Sequence, residues 1–285
     1  MPLRVSDIMT PEVVVIYPND TLSRARNLML RHNISRLVVV NEELKPIGIL
    51  TETDIASKVW EESGKKYART IDEILVSEVM SKPVITIGPR TYIKNAAKVM
   101  IKKKISGLPV ADSSNNLLGI ITKTDLTKAY ANHYKQMLRV KDVMSSPVIT
   151  VHPMHTIYRV GRLMKENNIS RVIVTDGKVP VGIITKTDLT FIQLTSKPRR
   201  VSFKKVVEGE GAIRRAVKIF RIPIVADIMT ENPISINTEE DLAEAAKIMT
   251  NHGISGLPVI DNKGFLKGIV TKTDIIKAIA KLKPR

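Results

Sequence analysis

The pattern Gly-x-x-Thr-x-x-Asp occurs four times in this 285-residue chain, and the repeat constrains its fold more than any other feature. The copies are Gly48-Ile49-Leu50-Thr51-Glu52-Thr53-Asp54, Gly119-Ile120-Ile121-Thr122-Lys123-Thr124-Asp125, Gly182-Ile183-Ile184-Thr185-Lys186-Thr187-Asp188 and Gly268-Ile269-Val270-Thr271-Lys272-Thr273-Asp274. Each reads as a short buried strand that breaks into a Thr-x-x-Asp helix start. Backbone N–H groups, a hydroxyl and a carboxylate therefore converge at one strand end. A helix N-terminus suits an anionic phosphate, and a carboxylate that only accepts hydrogen bonds suits a sugar diol, so the combination fits a nucleotide. Thr and Asp can equally serve as plain helix caps. Four copies at matched positions argue for more than capping.

The rest of each copy repeats as well. The first unit opens at Ile8-Met9, continues through the apolar strand Val13–Ile16 and helically spaced Leu22, Ala25, Leu28 and Met29, and reaches the strand Leu37–Val40 through Asn33-Ile34-Ser35-Arg36. The second runs from Val79-Met80 through residues 83–87 and Ile93, Ala96, Ala97 and Met100 to Ile105-Ser106-Gly107-Leu108-Pro109-Val110. The third and fourth start at Val143-Met144 and Ile228-Met229. From each of these methionines to its aspartate the separation is 44 or 45 residues, which makes this an internal repeat. The expected architecture is α/β (α+β), each unit reading strand-helix-strand-strand-helix. A unit of this size is too small to bury its own sheet, so the copies are expected to pack in pairs, first with second and third with fourth.

The expected boundaries are 1–60, 74–133, 138–195 and 223–285 for the four units, with an insertion at 196–222. Residues 56–75 and 127–139 read as helical links. The insertion contains Lys197, Arg199, Arg200, Lys204, Lys205, Arg214 and Arg215 beside Pro198 and Phe203. It reads either as an arm for RNA or another acidic partner, or as a solvated hinge between two modules.

These residues resemble four tandem CBS (cystathionine β-synthase) domains of archaeal type forming two CBS modules, over nearly the whole chain. The Ile-Met or Val-Met starts, the Pro-Val-Ile-Thr-Ile type strand, the Ile-Ser-Gly-Leu-Pro-Val type segment and Gly-x-x-Thr-x-x-Asp all carry the resemblance. It implies sheet-packed pairs with two clefts each, binding AMP, ADP, ATP or S-adenosylmethionine. It further implies that Asp54, Asp125, Asp188 and Asp274 meet ribose hydroxyls and that Thr51, Thr122, Thr185 and Thr271 lie near phosphate. Ile16, Thr86, Ile87, Thr150, Val151, Ser235 and Ile236, with Ile34, Ile105, Ile169 and Ile254, would frame the adenine, although such apolar residues also suit any core. Arg36 and Arg171 stand where nucleotide-sensing members carry phosphate-binding arginines, whereas the second and fourth copies have Gly107 and Gly256.

The net charge is +17, almost all of it within residues 71–224. That concentration reads as a face for a polyanion, with Lys102, Lys103 and Lys104 joining the insertion. Without cysteine there are neither disulfides nor thiolate metal sites. No leader and no apolar run of membrane length is visible, so a cytoplasmic protein is expected. His152 and His155 flank Pro153 without a carboxylate partner, and neither a phosphate loop nor a nucleophile with a base appears, so no catalytic role is expected. The first functional expectation is an adenine-nucleotide sensor that binds RNA, with the ribosome as partner, similar in kind to CBS proteins of dormant archaeal ribosomes. The second is an energy-sensing regulatory subunit resembling the γ subunit of AMP-activated protein kinase, acting on a protein partner or as a homodimer. A DNA-binding regulator ranks lowest, since no helix-turn-helix or zinc finger is visible.

Overall fold

The computed structural model describes residues 2–63, 67–189, 201–202, 218–219 and 223–282. The chain divides into two compact units, one of Met1–Ser145, Ile236–Leu257 and Ile269–Arg285, the other of Ser146–Ser235 and Pro258–Gly268.

In the first unit, copy 1 supplies β1 (Val15–Ile16), α1 (Leu22–His32), β2 (Arg36–Val40), β3 (Pro46–Thr51) and α2 (Glu52–Ser63). Its sheet has the order β1-β2-β3, with β1 parallel and β3 antiparallel to β2. Leu22, Ala25 and Met29 form the buried stripe of α1, which ends where Asn33 turns left-handed at φ 50°. Copy 2 supplies α3 (Ile93–Lys103), β4 (Gly107–Ala111), β5 (Leu117–Thr122) and α4 (Lys123–His133). Helix α3 buries Ile93, Ala96, Ala97 and Met100, a helical period that leaves Lys98, Lys102 and Lys103 outside. The strand expected at 83–87 contracts to a single parallel bridge between Ile87 and Val110.

In the second unit, copy 3 supplies β6 (Thr150–Val151), α5 (Ile157–Glu166), β7 (Arg171–Asp176) and β8 (Val179–Thr185), followed by helical residues 186–189. A small antiparallel ladder joins β9 (Val201–Ser202) to β10 (Lys218–Ile219). Strand β11 (Thr230–Glu231) adds to β8, giving the order β11-β8-β7-β6. Copy 4 is divided between the two units: β12 (Ile236–Asn237), α6 (Leu242–Asn251) and α7 (Lys272–Lys281) belong to the first, while β13 (Gly256–Ile260) and β14 (Leu266–Thr271) each run across the division. Within the first unit, α4 packs against α6 and α7, and α3 packs against α7.

The pairing of copies 1 and 2 is an exchange of their leading segments. Val5 and Ser6 donate backbone hydrogen bonds to Thr91 and Pro89, and Thr10 pairs with Ile120 of β5. Reciprocally, Val76 and Ser77 donate to Asp20 and Pro18, and Ser81 pairs with Ile49 of β3. Each lead thus completes its neighbour rather than its own copy. The same bonds recur inside each unit further along: Val140 and Lys141 reach Glu240 and Thr238, while Val225 and Ala226 reach His155 and Pro153.

The repeated methionine locks this exchange. A β-carbon on Gly48 would come 2.6 Å from the Met80 sulfur, one on Gly119 would meet Met9 at 2.9 Å, and one on Gly182 would meet Met229 at 2.5 Å. Glycine in the repeat therefore makes room for a methionine from a different copy.

Candidate functional site

All four Thr-x-x-Asp stretches form the same strand end. The backbone N–H and the hydroxyl of the threonine both donate to Oδ2 of the aspartate: 2.8 and 2.7 Å for Thr51 and Asp54, 2.7 and 2.7 Å for Thr122 and Asp125. The corresponding values are 2.7 and 2.8 Å for Thr185 and Asp188, and 3.0 and 2.8 Å for Thr271 and Asp274. This is a capping arrangement, and it has a chemical consequence for the predicted roles. The hydroxyl carries one proton, already donated to the aspartate, so these threonines cannot also donate to a phosphate while the cap is intact. In this arrangement the four hydroxyls hold the carboxylates in place.

The caps engage only one carboxylate oxygen. Oδ1 of Asp54, Asp125 and Asp188 has no hydrogen bond among the described residues, whereas Oδ1 of Asp274 receives the Lys277 ammonium at 3.1 Å. Asp274 is also 4% exposed, and the other three aspartates are more open to solvent. Three strand ends thus offer a fixed acceptor to a ligand, and the fourth offers one already paired.

The residues around the ends separate by burial. Ile34, Ile105, Ile169 and Ile254 are half-buried, as are Thr86, Ile87, Thr150 and Ser235, so each keeps surface for a ligand. Ile16, Val151 and Ile236 are 1%, 2% and 4% exposed, and Ile16 and Val151 belong to the hydrophobic cores. The resemblance grouped these three with the adenine frame. They are core residues, because in a strand the neighbouring position faces the other way.

Arg36 pairs across the strands with Thr51, Gly107 with Thr122 and Arg171 with Thr185, so the register is the same in three copies. Arg36 does not stay with its own copy. Its guanidinium donates to the Ser106 carbonyl of copy 2 through Nη1 and to the Ser35 hydroxyl through Nη2 at 3.3 Å. A β-carbon on Gly107 would lie 2.6 Å from Nη1 and 3.1 Å from Cδ, so glycine in copy 2 is what admits the arginine of copy 1. Burial lowers the Arg36 pKa, and Asp125 and then Glu52 oppose it. Glu52 in turn is pushed up by burial, with Arg36 countering.

Glu52, beside Arg36, is a residue that the repeat pattern alone does not single out, yet it differs visibly from Lys123, Lys186 and Lys272 at the same step. All four make the same backbone bond, to Ser35, Ser106, Ser170 and Ser255 respectively, at 2.9 to 3.2 Å. Two of the lysines are reciprocally engaged within the first unit: the Lys123 ammonium donates to the Thr273 hydroxyl and that of Lys272 to Thr124, each at 3.0 Å.

The expected polyanion residues divide likewise. Lys102, Lys103 and Lys104 are exposed at the end of α3 and, with Lys98, have side chains that carry neither hydrogen bond nor ion pair among the described residues. Lys197, Arg199, Arg200, Lys204, Lys205, Arg214 and Arg215 lie outside the described residues. Among the described residues no cluster of three His, Asp or Glu could hold a metal ion, and no helix is long and apolar enough to cross a membrane. Two surface grooves, of about 490 Å³ on α1 and about 480 Å³ beside Glu239 and Asp241, lie away from the Thr–Asp carboxylates of copies 1 and 2.

Comparison with known proteins accounts for the fourfold pattern. The CBS domain family matches residues 5–61, 76–132, 140–194 and 225–281, and the chain belongs to that family. An uncharacterized Methanocaldococcus jannaschii protein is 28% identical over 280 residues, covering 94% of this chain and 96% of that one. The crystal structure of that relative, described as a candidate archaeal homolog of g-AMPK, superposes with a TM-score of 0.76 at 27% identity, covering 98% of this chain and all of the other. A Thermofilum pendens chain, named an uncharacterized 33.4 kDa protein in ribosomal RNA operon, is 27% identical over 194 residues, or 68% of this chain and 61% of that one. This chain thus spans less than two thirds of that relative.

Proposed function

We propose that this protein is a non-enzymatic adenosyl-ligand sensor whose Thr–Asp strand ends hold the ligand and whose cationic surface binds RNA, with the ribosome as the partner. The observation that carries the ligand half is the unengaged Oδ1 of Asp54, Asp125 and Asp188, fixed by the cap in one orientation, in copies that also keep a half-buried isoleucine at Ile34, Ile105 and Ile169. A carboxylate oxygen accepts from a ribose diol, and an exposed isoleucine face packs on a purine. AMP, ADP, ATP and S-adenosylmethionine all have both parts. Thermal unfolding of the full chain tests this: an adenosyl ligand at a hundredfold excess over its dissociation constant adds about 2.7 kcal/mol per site. An unchanged midpoint with every one of the four compounds contradicts it.

The RNA half is supported by the +17 charge and by Lys98, Lys102 and Lys103 of α3 with Lys104 at its end, whose side chains have no acidic partners among the described residues. Co-sedimentation with ribosomal subunits across a salt series checks it. Contact with about eight phosphates gives a slope of roughly −6 to −7 in log affinity against log salt.

A second reading, a regulatory subunit of a protein assembly, is favoured by the full-length match to the relative described as a g-AMPK homolog candidate. It predicts a complex in cell lysate that survives nuclease and high salt.

A further inference from the structure

At the junction of copies 1 and 2 the charges are distributed unequally between two strand ends of the same construction. Glu52 holds the backbone position that lysine holds in the other copies. Arg36, carried by copy 1, reaches across to the Ser106 carbonyl and lies over Gly107. The Asp54 end is left with two carboxylates, Glu52 and Asp54. The Asp125 end has Lys123 and gains the arginine.

We infer that the two ends of this pair divide their ligands by charge: the Asp125 end takes an adenosine bearing phosphate, and the Asp54 end takes an adenosine whose 5′ substituent is neutral or cationic, a thioether or a sulfonium, with Glu52 as the specificity-determining residue. This rests on the adenosyl reading proposed above and assigns the ligand class at each end. A phosphate at the start of α2 would gain from the helix N-terminus but would face the Glu52 carboxylate in the first turn. A sulfonium would meet that carboxylate favourably. Burial holds the Glu52 carboxyl above its ordinary range, and the Arg36 charge offsets this only in part. Asp125 acts on Arg36 more strongly than Glu52 does, in keeping with an arginine that serves copy 2.

The test is calorimetric titration of the full chain with AMP and, separately, with S-adenosylmethionine, before and after Glu52→Lys. Lysine stands at this position in the other three copies, so the substitution is compatible with the local backbone. The expected result is one additional AMP site and a tenfold to hundredfold loss of S-adenosylmethionine affinity at one site, the range for one charge reversal within several ångströms of a partly solvated ligand. Asp54→Asn in the wild-type background should abolish that same S-adenosylmethionine site and leave AMP binding within twofold. If Glu52→Lys changes neither AMP stoichiometry nor S-adenosylmethionine affinity by more than twofold, or if Asp54→Asn removes an AMP site instead, the division by charge is overturned while adenosyl binding stands. If neither compound binds any of the chains, the adenosyl reading has failed and this inference fails with it.

Discussion

The Met80 sulfur lies over the α-carbon of Gly48, so close that a β-carbon there would approach it to 2.6 Å. The two residues belong to different copies, and Met9 meets Gly119 in the reverse sense. The glycine and methionine of the repeat are thus two halves of one contact, and the pair of copies is held together by exchange.

Alanine at these glycines separates two kinds of neighbour. In an unstrained strand, Gly→Ala stabilises by about 0.4 to 1 kcal/mol through the unfolded chain. At Gly48 the first atom met is the flexible end of Met80, which can move, whereas at Gly119 it is the backbone carbonyl of Thr10 at 2.8 Å. Gly119→Ala is expected to destabilise by about 1 to 3 kcal/mol and Gly48→Ala by less, measured by urea unfolding.

Thr122→Ala removes the hydroxyl that accepts from the Asp125 amide and donates to its carboxylate. The expected cost is about 0.5 to 2 kcal/mol of stability. Because the hydroxyl holds the carboxylate rather than a phosphate, adenosine and AMP should lose affinity by the same factor. A loss confined to AMP would show that the threonine serves the phosphate.

Glu52→Gln gives a pH signature. Burial raises the folded-state pKa of Glu52 above its unfolded value, so the protonated form is favoured by folding. Stability is then unaffected below the ordinary carboxyl range and falls as pH rises from there through the raised pKa. The variant should have the higher melting temperature at pH 7, and the difference should vanish at about pH 4. A lower melting temperature for the variant at pH 7, again converging toward acid pH, would show that Arg36 outweighs burial.

Charge reversal at Lys102, Lys103 and Lys104 should weaken RNA binding and flatten its salt dependence by roughly 0.7 to 0.9 in log–log slope for each phosphate that is no longer neutralised. Nucleotide binding should stay within twofold. Loss of nucleotide binding alone would show that these lysines serve the nucleotide instead of the RNA.

The fourfold fold was legible because the 44- or 45-residue spacing and the strand-to-helix signal are local properties that survive in every copy. The exchange of leads was not, because residues 5–10 and 76–81 are so alike that either would satisfy either partner by pattern alone. Thr51 and Asp54 stand out by their spacing, but the direction of the hydroxyl proton between them is a matter of geometry. Strand alternation at short, irregular first strands could not separate buried Ile16 from half-buried Thr86. Arg36 is recognisable as a cation at a strand end, and its crossing to Ser106 depends on a residue 70 positions away. Gly107 at the matching step was the visible sign that something large needed room there.

The most direct test of the ligand site is the stoichiometry of AMP bound at calorimetric saturation by wild type and by Asp125→Ala, with circular dichroism confirming that both are folded. The account predicts one site fewer in the variant. An identical stoichiometry and heat would show that the Asp125 end is a helix cap and nothing more.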